Sequence, residues 1–152
     1  MATRGFEFAY NLDGSTLTPT IRDMTLGVAA AHKVGDLMLQ QSDGYADQVT
    51  TTVTEVTGVM MEALAAADIT AGTTKGKMAI ITRNQVWRCS MDAATTTHVV
   101  GYTKTIDTVD CNTVSASDAT GGAMCLLGTE GLDSDGNLIG YFIFLDTTFG
   151  NT

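Results

Sequence analysis

The feature that most constrains the fold is a regular alternation of short apolar runs with turn-forming residues between Val34 and Met91. Apolar runs at residues 37–39, 58–61 and 78–81 are separated by segments that contain Gly, Asp or Asn. Short strands bounded by such residues are typical of small barrels and sandwiches that are built from hairpins. The sequence therefore predicts an all-β fold.

Length and composition indicate a single domain with an unusually uncharged surface. A chain of 152 residues can bury a core without help from a metal or a disulfide. Its charged fraction of 16% lies below the usual value of about 25%, and Thr fills much of the difference. Thr suits strands in any all-β protein, but a Thr-rich surface also loses little side-chain entropy when it contacts a partner. The composition is thus compatible with a structural surface protein.

The charge balance argues against two classes of partner. The net charge is −9, and no basic run exists that could bind the phosphates of a nucleic acid. No apolar run is long enough to span a membrane, and the N-terminal residues lack the apolar core of a signal peptide. We expect no nucleic-acid partner, no membrane association and synthesis in the cytoplasm.

The residues that commonly carry chemistry are few and scattered. Cys89, Cys111 and Cys125 form no Cys-x-x-Cys pair, which predicts buried free thiols; one disulfide with one free thiol is the alternative. His32 and His98 are isolated, without metal-ligand spacing, and are expected at the surface or at strand ends. With no phosphate loop and no nucleophile elbow, the sequence predicts a protein that is not an enzyme and has no cofactor.

One acidic segment matches part of a calcium-binding loop. Asp133, Asp135 and Asn137 supply oxygens at the first three ligand positions of an EF-hand. Leu138 stands where that loop needs Gly, and Phe144 stands where it needs Glu. The segment is therefore predicted to be a hairpin turn with no metal, although a looser calcium site remains the alternative.

The chain divides at residue 32 into an N-terminal arm and a β-domain over residues 33–152. Phe6, Phe8 and Tyr10 alternate, which predicts one strand with its aromatic rings on one face. That strand either packs on the core or docks on a neighbouring subunit. Residues from 92 onward either complete the barrel or form an added lobe.

Further strands are predicted within the β-domain. Residues 77–82 and 85–91 are predicted to form a hairpin across Arg83 and Asn84. Trp87 is its core anchor, or alternatively an interface hot spot. Strands are also expected at residues 48–56, 58–64 and 123–128, with a central strand buried on both faces at 139–145 and a loop at 108–119.

The order of these motifs resembles that of the tailed-phage capsid decoration proteins, also called cement proteins. The motifs that carry the resemblance are, in chain order, Gly35-Asp36 before a strand, the Asp43-Gly44 turn, the Gly58-Val59 strand, the Ala71-Gly72 turn, and Gly76 before an apolar strand. They lie within the segment between Val34 and Met91.

The resemblance implies a small β-barrel or β-sandwich, β-tulip-like, with an extended N-terminal arm. It implies a structural virion protein on the outer capsid surface that binds the expanded shell and cements neighbouring major capsid proteins, as a homo-oligomer such as a trimer. Candidate contact residues are Phe6, Phe8, Tyr10 and Tyr45. The alternatives are a tail-tube or head-completion protein, and a β-module that binds carbohydrate or a cell surface.

Overall fold

The fold is built almost entirely from β-strands. The structure, a computed structural model, describes residues 5–50, 54–101, 106–118 and 120–147. Its strands are β1 (Glu7–Asn11), β2 (Ile21–Thr25), β3 (Leu37–Gln40), β4 (Ala46–Gln48), β5 (Gly58–Met60), β6 (Lys75–Ile80), β7 (Gln85–Ser90), β8 (Thr108–Asp110), β9 (Thr113–Val114), β10 (Met124–Leu132) and β11 (Leu138–Phe144). The 3₁₀ turn at Ala66–Asp68 is the one helical element of these ranges, and no helix there could cross a bilayer.

The strands form two antiparallel sheets that pack face to face. The first sheet has the order β1-β7-β11-β10, the second has the order β2-β6-β5-β3-β4, and β8 pairs with β9 in a small ribbon. Trp87, Phe142 and Phe144 fill the space between the sheets and are fully buried. The all-β prediction is confirmed in its sandwich form, because neither sheet closes through its described strands; beyond β2, Leu26 makes a single bridge to Ala46 at the other end of the second sheet.

Apolar side chains cover both faces of each sheet. In β3, Leu37 joins the core between the sheets, whereas Met38 joins a second cluster on the opposite face with Ile69. In the first sheet, Phe142 points into the central core and Ile143 joins a third cluster on the outer face. Strands that are buried on two faces read as continuous apolar runs, which is why the apolar run at residues 139–145 is correctly predicted as a central strand.

The predicted division at residue 32 does not describe a separate arm. β1 pairs with β7, and β2 pairs with β6, so both belong to the sheets. Residues beyond 92 complete the sandwich, since β10 and β11 lie in the same sheet as β1 and β7. Local sequence signals could not assign these segments, because their partners lie far away along the chain.

The predicted hairpin at residues 77–91 is wrong in its pairing. The chain does turn at Arg83 and Asn84, but β6 and β7 belong to different sheets. β6 already lies between β2 and β5, and β7 lies between β1 and β11, so neither strand has a free edge for the other. The turn therefore crosses from one sheet to the other.

Several predicted strands are shorter than expected. Of the strand expected over residues 48–56, the described part contains Gln48, the last residue of β4, and Val56, which forms an isolated bridge with Thr147; residues 51–53 lie outside the described ranges. The strand expected over 58–64 ends at Met60. The predicted loop at 108–119 instead contains β8 and β9, while β10 and β11 confirm the strands expected near 123–128 and 138–145.

Candidate functional site

An apolar groove opens between the two sheets, on the side where β1 and β2 form the sheet edges. Its volume is about 570 Å³. The lining is contributed by Gly5, Phe6, Glu7, Phe8, Thr18, Pro19, Ile21, Val34, Gly35, Met61, Ala79 and Trp87. Ile21, Val34 and Met61 are 49%, 56% and 45% exposed, so large apolar side chains stand at the rim of this groove. Exposed apolar surface of this kind commonly marks a binding site.

The groove also offers unused hydrogen-bonding groups. No described strand pairs with the outer edge of β1 or of β2, so the backbone groups on those edges are open to an extended segment. In the wall of the groove, the Trp87 indole Nε1 is buried and has no hydrogen-bond partner in the described chain. A carbonyl that reached this N–H would make a bond that the protein alone lacks.

Two of the predicted contact residues lie in this groove. Phe6 is only 3% exposed and packs on Phe144, with ring centroids 5.5 Å apart. Phe8 is half-buried and meets Trp87 edge-on at 5.8 Å. Phe6 is therefore mainly a core residue, and Phe8 is the one of the two that a partner could contact more directly.

A close approach of two glycines fixes one end of the groove. Gly35 has φ = +97°, and a Cβ at this position would lie 2.8 Å from the Gly5 Cα. The Phe6 N–H donates a hydrogen bond to the Gly35 carbonyl over 2.8 Å. This contact holds the start of β1 against the turn before β3, and no side chain larger than hydrogen fits there.

Tyr10 lies on the opposite face of the first sheet, contrary to the predicted alternation. Phe8 is opposite Trp87, but Tyr10 is opposite Val86, because a β-bulge shifts the register between Phe8 and Tyr10. A bulge inserts one extra residue and so reverses the face of the residues that follow. Tyr10 is consequently 49% exposed beside Tyr141, with ring centroids 6.3 Å apart.

Charged groups surround this outer aromatic pair. The Arg88 Nε donates to Glu130 Oε2 at 2.9 Å, and its Nη1 lies 3.5 Å from Glu7 Oε2. Tyr141 donates its hydroxyl hydrogen to Glu130, which raises the pKa of Tyr141. The pKa of Glu130 is lowered mainly by its hydrogen bond from Arg88 and further by the one from Tyr141. Tyr and Arg are the side chains enriched at interface hot spots, so this face is a second possible contact surface.

Tyr45 stands apart from the other three predicted contact residues. It follows the Asp43-Gly44 turn between β3 and β4, is 37% exposed, and packs its ring over Gly72. The structure therefore brings Phe6 and Phe8 together and separates Tyr10 and Tyr45 from them. Trp87 is confirmed as a core residue.

The described chain shows no cluster of metal-binding side chains and no disulfide. Within these ranges, no three His, Cys, Asp or Glu side chains come together to hold a metal ion. The three cysteines are free thiols, as predicted; Cys89 and Cys125 are buried and Cys111 is half-buried. Burial raises the pKa of Cys89 to about 12.

The two histidines and the acidic turn are held by contacts within the fold. His98 Nε2 lies 2.7 Å from the Ser115 carbonyl oxygen. His32 is only 3% exposed, which corrects the expectation that it lies at the surface or at a strand end. Asp133 accepts backbone hydrogen bonds from Asp135 and Asn137 through its Oδ1, as a hairpin turn requires.

No family model, curated protein or solved structure matches this chain.

Most of the groove could not be found from the sequence. Its rim residues Ile21, Val34 and Met61 come from separate segments, and each reads as an ordinary apolar position. Only the aromatic residues at positions 6 and 8 gave a local signal. The glycines at positions 5 and 35 gave none, because their contact forms only in the folded chain.

Proposed function

We propose that this protein is a structural virion protein that binds the outer surface of an expanded phage capsid and cements neighbouring major capsid proteins. The observation that carries the proposal is the apolar groove between the free edges of β1 and β2. Such a groove suits an extended segment of another protein, which can pair with a strand edge and place alternate side chains in an apolar slot. The motif order between Val34 and Met91 supports the same assignment.

The charge and the fold are compatible with this role. A net charge of −9 discourages contact with DNA and suits a protein on the outside of a DNA-filled shell. A decoration protein also acts through repetition, because many modest contacts related by symmetry add up to a large stabilisation of the shell. We expect a trimer at local threefold positions.

Co-sedimentation with purified shells tests the proposal. The protein would be mixed with precursor shells and with expanded shells of the phage that encodes it. We expect saturable binding to expanded shells alone, at a copy number set by icosahedral symmetry. Absence of binding to both kinds of shell would overturn the proposal.

A matched pair of variants tests the groove itself. Ile21→Glu places a charge at the groove rim, and Leu132→Glu places the same charge on the distant β10–β11 hairpin. The two side chains are 49% and 56% exposed, so neither substitution removes a core residue. We expect Ile21→Glu to weaken shell binding by about tenfold or more and Leu132→Glu to leave it unchanged. Equal effects would show that the groove is not the contact site.

A ring-forming virion component, such as a tail-tube protein, is the second candidate. The observation that favours it is β10, a nine-residue strand at the edge of the first sheet whose last four residues are exposed. A long exposed edge allows neighbouring copies to pair and close a ring. Light scattering during size-exclusion chromatography discriminates the two, because a stable hexamer favours the ring and a monomer or trimer favours the decoration protein.

A further inference from the structure

A second cleft lies near the turn between β8 and β9, on another part of the molecule. Its volume is about 390 Å³, within the range of sites for small ligands. The lining is contributed by Val28, Ala30, His32, Asp47, Gln48, Val49, Thr50, Val109, Asp110 and Cys111. None of these residues lines the apolar groove.

The His32 imidazole in the wall of this cleft has unused hydrogen-bonding capacity. Its backbone is fixed by mutual hydrogen bonds with Leu64, at 2.9 and 3.0 Å. The residue is only 3% exposed, yet within the described ranges neither Nδ1 nor Nε2 of its ring has a hydrogen-bond partner. Buried polar atoms are nearly always paired in folded proteins, so this ring can accept a hydrogen bond from a ligand in the cleft or donate one to it.

The cleft is acidic, and no ion pair of the described residues neutralises it. Asp47 and Asp110 both line it, and the buried Asp47 Oδ1 has no hydrogen-bond partner among the described residues. None of the ion pairs within the described ranges involves Asp36, Asp47 or Asp110. The cleft therefore presents acceptors to a ligand that carries positive charge and several N–H donors.

Asp36 stabilises the cleft without lining it. Its Oδ2 accepts hydrogen bonds from the Lys33 backbone N–H at 2.8 Å and from Gln48 Nε2 at 2.7 Å, and Asn112 Nδ2 lies 3.4 Å from its Oδ1. This buried carboxylate is thus fully used in joining three segments of the chain. It adds negative potential to the cleft without being available as a direct ligand.

Aliphatic side chains complete the site. Val28 and Val109 stand at the cleft with 54% and 40% of their surface exposed, and Ala30 and Val49 contribute further apolar lining. The combination suits a ligand with an apolar stem and a cationic end, as in the side chain of arginine or lysine. The exposed valines suit contact with the protein surface that carries such a side chain.

We propose that this cleft binds a basic side chain, preferably that of an arginine, from the protein that this chain binds. Arginine fits better than lysine because its planar guanidinium carries five N–H donors and is more weakly hydrated. The neutral His32 ring accepts one N–H, and the Asp47 and Asp110 carboxylates accept others. The identity of the partner as a capsid protein depends on the proposed function, but the chemistry of the cleft does not.

A small probe tests the chemistry directly. His32 and His98 are the two histidines of the chain, so imidazole NMR signals report the cleft through His32 and a distant control through His98. We expect N-acetyl-arginine amide to shift the His32 signals saturably and leave those of His98 unchanged. N-acetyl-citrulline amide, which has the same shape without the charge, should have no effect. Equal shifts with both probes, or no shift with arginine, would overturn the proposal.

Variants connect the cleft to the partner. Asp47→Asn should weaken binding of the arginine probe about tenfold or more, whereas Asp68→Asn makes the same charge change at an exposed residue outside the cleft and should not. His32→Gln provides a second cleft variant if Asp47→Asn melts early. If both cleft variants still bind the probe normally, the proposal fails.

The shell assay separates this proposal from the proposed function. If the wild-type protein binds the probe but no shell, the proposed function fails and the cleft chemistry stands. If it binds expanded shells and the cleft variants bind them equally well, the capsid protein is not the source of the basic side chain.

Discussion

Phe8 meets the indole of Trp87 edge-on inside the sandwich, with ring centroids 5.8 Å apart. Two residues later, Tyr10 lies on the other side of the same sheet, because the bulge between them reverses the face. One short strand thus contributes aromatic side chains both to the groove wall and to the outer surface.

The first prediction separates these two roles. Phe6→Ala should destabilise the protein by about 3–5 kcal/mol, because Phe6 is buried in the central core. Tyr10→Ala should cost only about 1 kcal/mol, since Tyr10 is half exposed and loses mainly its contact with Tyr141. Urea unfolding of both variants measures the difference. Similar losses of stability would contradict the placement of β1.

The same placement predicts the effect of truncation. An extended arm could be deleted without loss of stability, but deleting residues 2–20 from this fold removes β1 and its pairing with β7. We expect the truncated protein to unfold at a much lower temperature or to fail to fold. A nearly unchanged thermal melt would show that the segment is an arm after all.

The glycine contact at the end of the groove gives a second pair of variants. Gly35→Ala should be strongly destabilising, because the new Cβ would lie 2.8 Å from the Gly5 backbone at a positive φ of +97°. Gly44 also has a positive φ, of +88°, but nothing lies within 4 Å of its Cβ position. Gly44→Ala should therefore cost only the conformational strain, about 1–2 kcal/mol. Comparable unfolding midpoints for the two variants would refute the close contact.

The sequence carried enough information for the fold class but not for the pairing of strands. Alternating apolar runs and turn residues correctly predicted β1, β3, β7, β10 and β11. They could not reveal that β6 and β7 lie in different sheets, because a turn signal is the same whether the chain forms a hairpin or crosses between sheets. The sequence also gave no signal of the bulge at Ala9, since the bulge arises from the pairing with β7.

The candidate sites were likewise predictable only in part from the sequence. The aromatic residues Phe6 and Phe8 were found because their alternation is local. His32, Asp47 and Asp110 are separated widely along the chain and meet only through the sheet order and the β8–β9 ribbon. Sequence patterns cannot predict such a cleft, because its chemistry depends on which side chains remain unpaired after folding.

A fourth prediction concerns the pH dependence of stability. Burial lowers the pKa of His32, although Asp36 and Asp47 partly oppose this effect. The unfolded chain then binds a proton at this residue more readily than the folded protein does, so stability falls as the pH drops through the unfolded value of about 6.5. Below the pKa of His32 in the folded protein, protonation of His32 should cause no further loss of stability.

His32→Gln tests that prediction, because glutamine does not titrate. The variant should lose less stability than the wild type between about pH 7 and the folded pKa of His32, whatever its stability at neutral pH. Urea unfolding at a series of pH values measures both slopes. Parallel curves for the two proteins would show that His32 does not control this part of the profile.

The last prediction concerns the thiols. Cys111 is half-buried, yet burial first, and then the nearby Asp36 and Asp110 carboxylates, raise its pKa to about 12. The thiolate is the reactive form of cysteine, so at pH 8 only about one Cys111 in ten thousand would be reactive at any moment. Cys89 has a pKa of about 12 from burial and is fully enclosed.

Labelling with a thiol-specific disulfide reagent at pH 8 measures this directly. We expect the folded protein to react very slowly and the protein in guanidinium chloride to react rapidly at all three cysteines. Cys111→Ser should change the slow folded-state rate little, because the residue contributes so little thiolate. Rapid labelling of the folded wild type that disappears in Cys111→Ser would contradict the raised pKa of Cys111 and the burial that is its main cause.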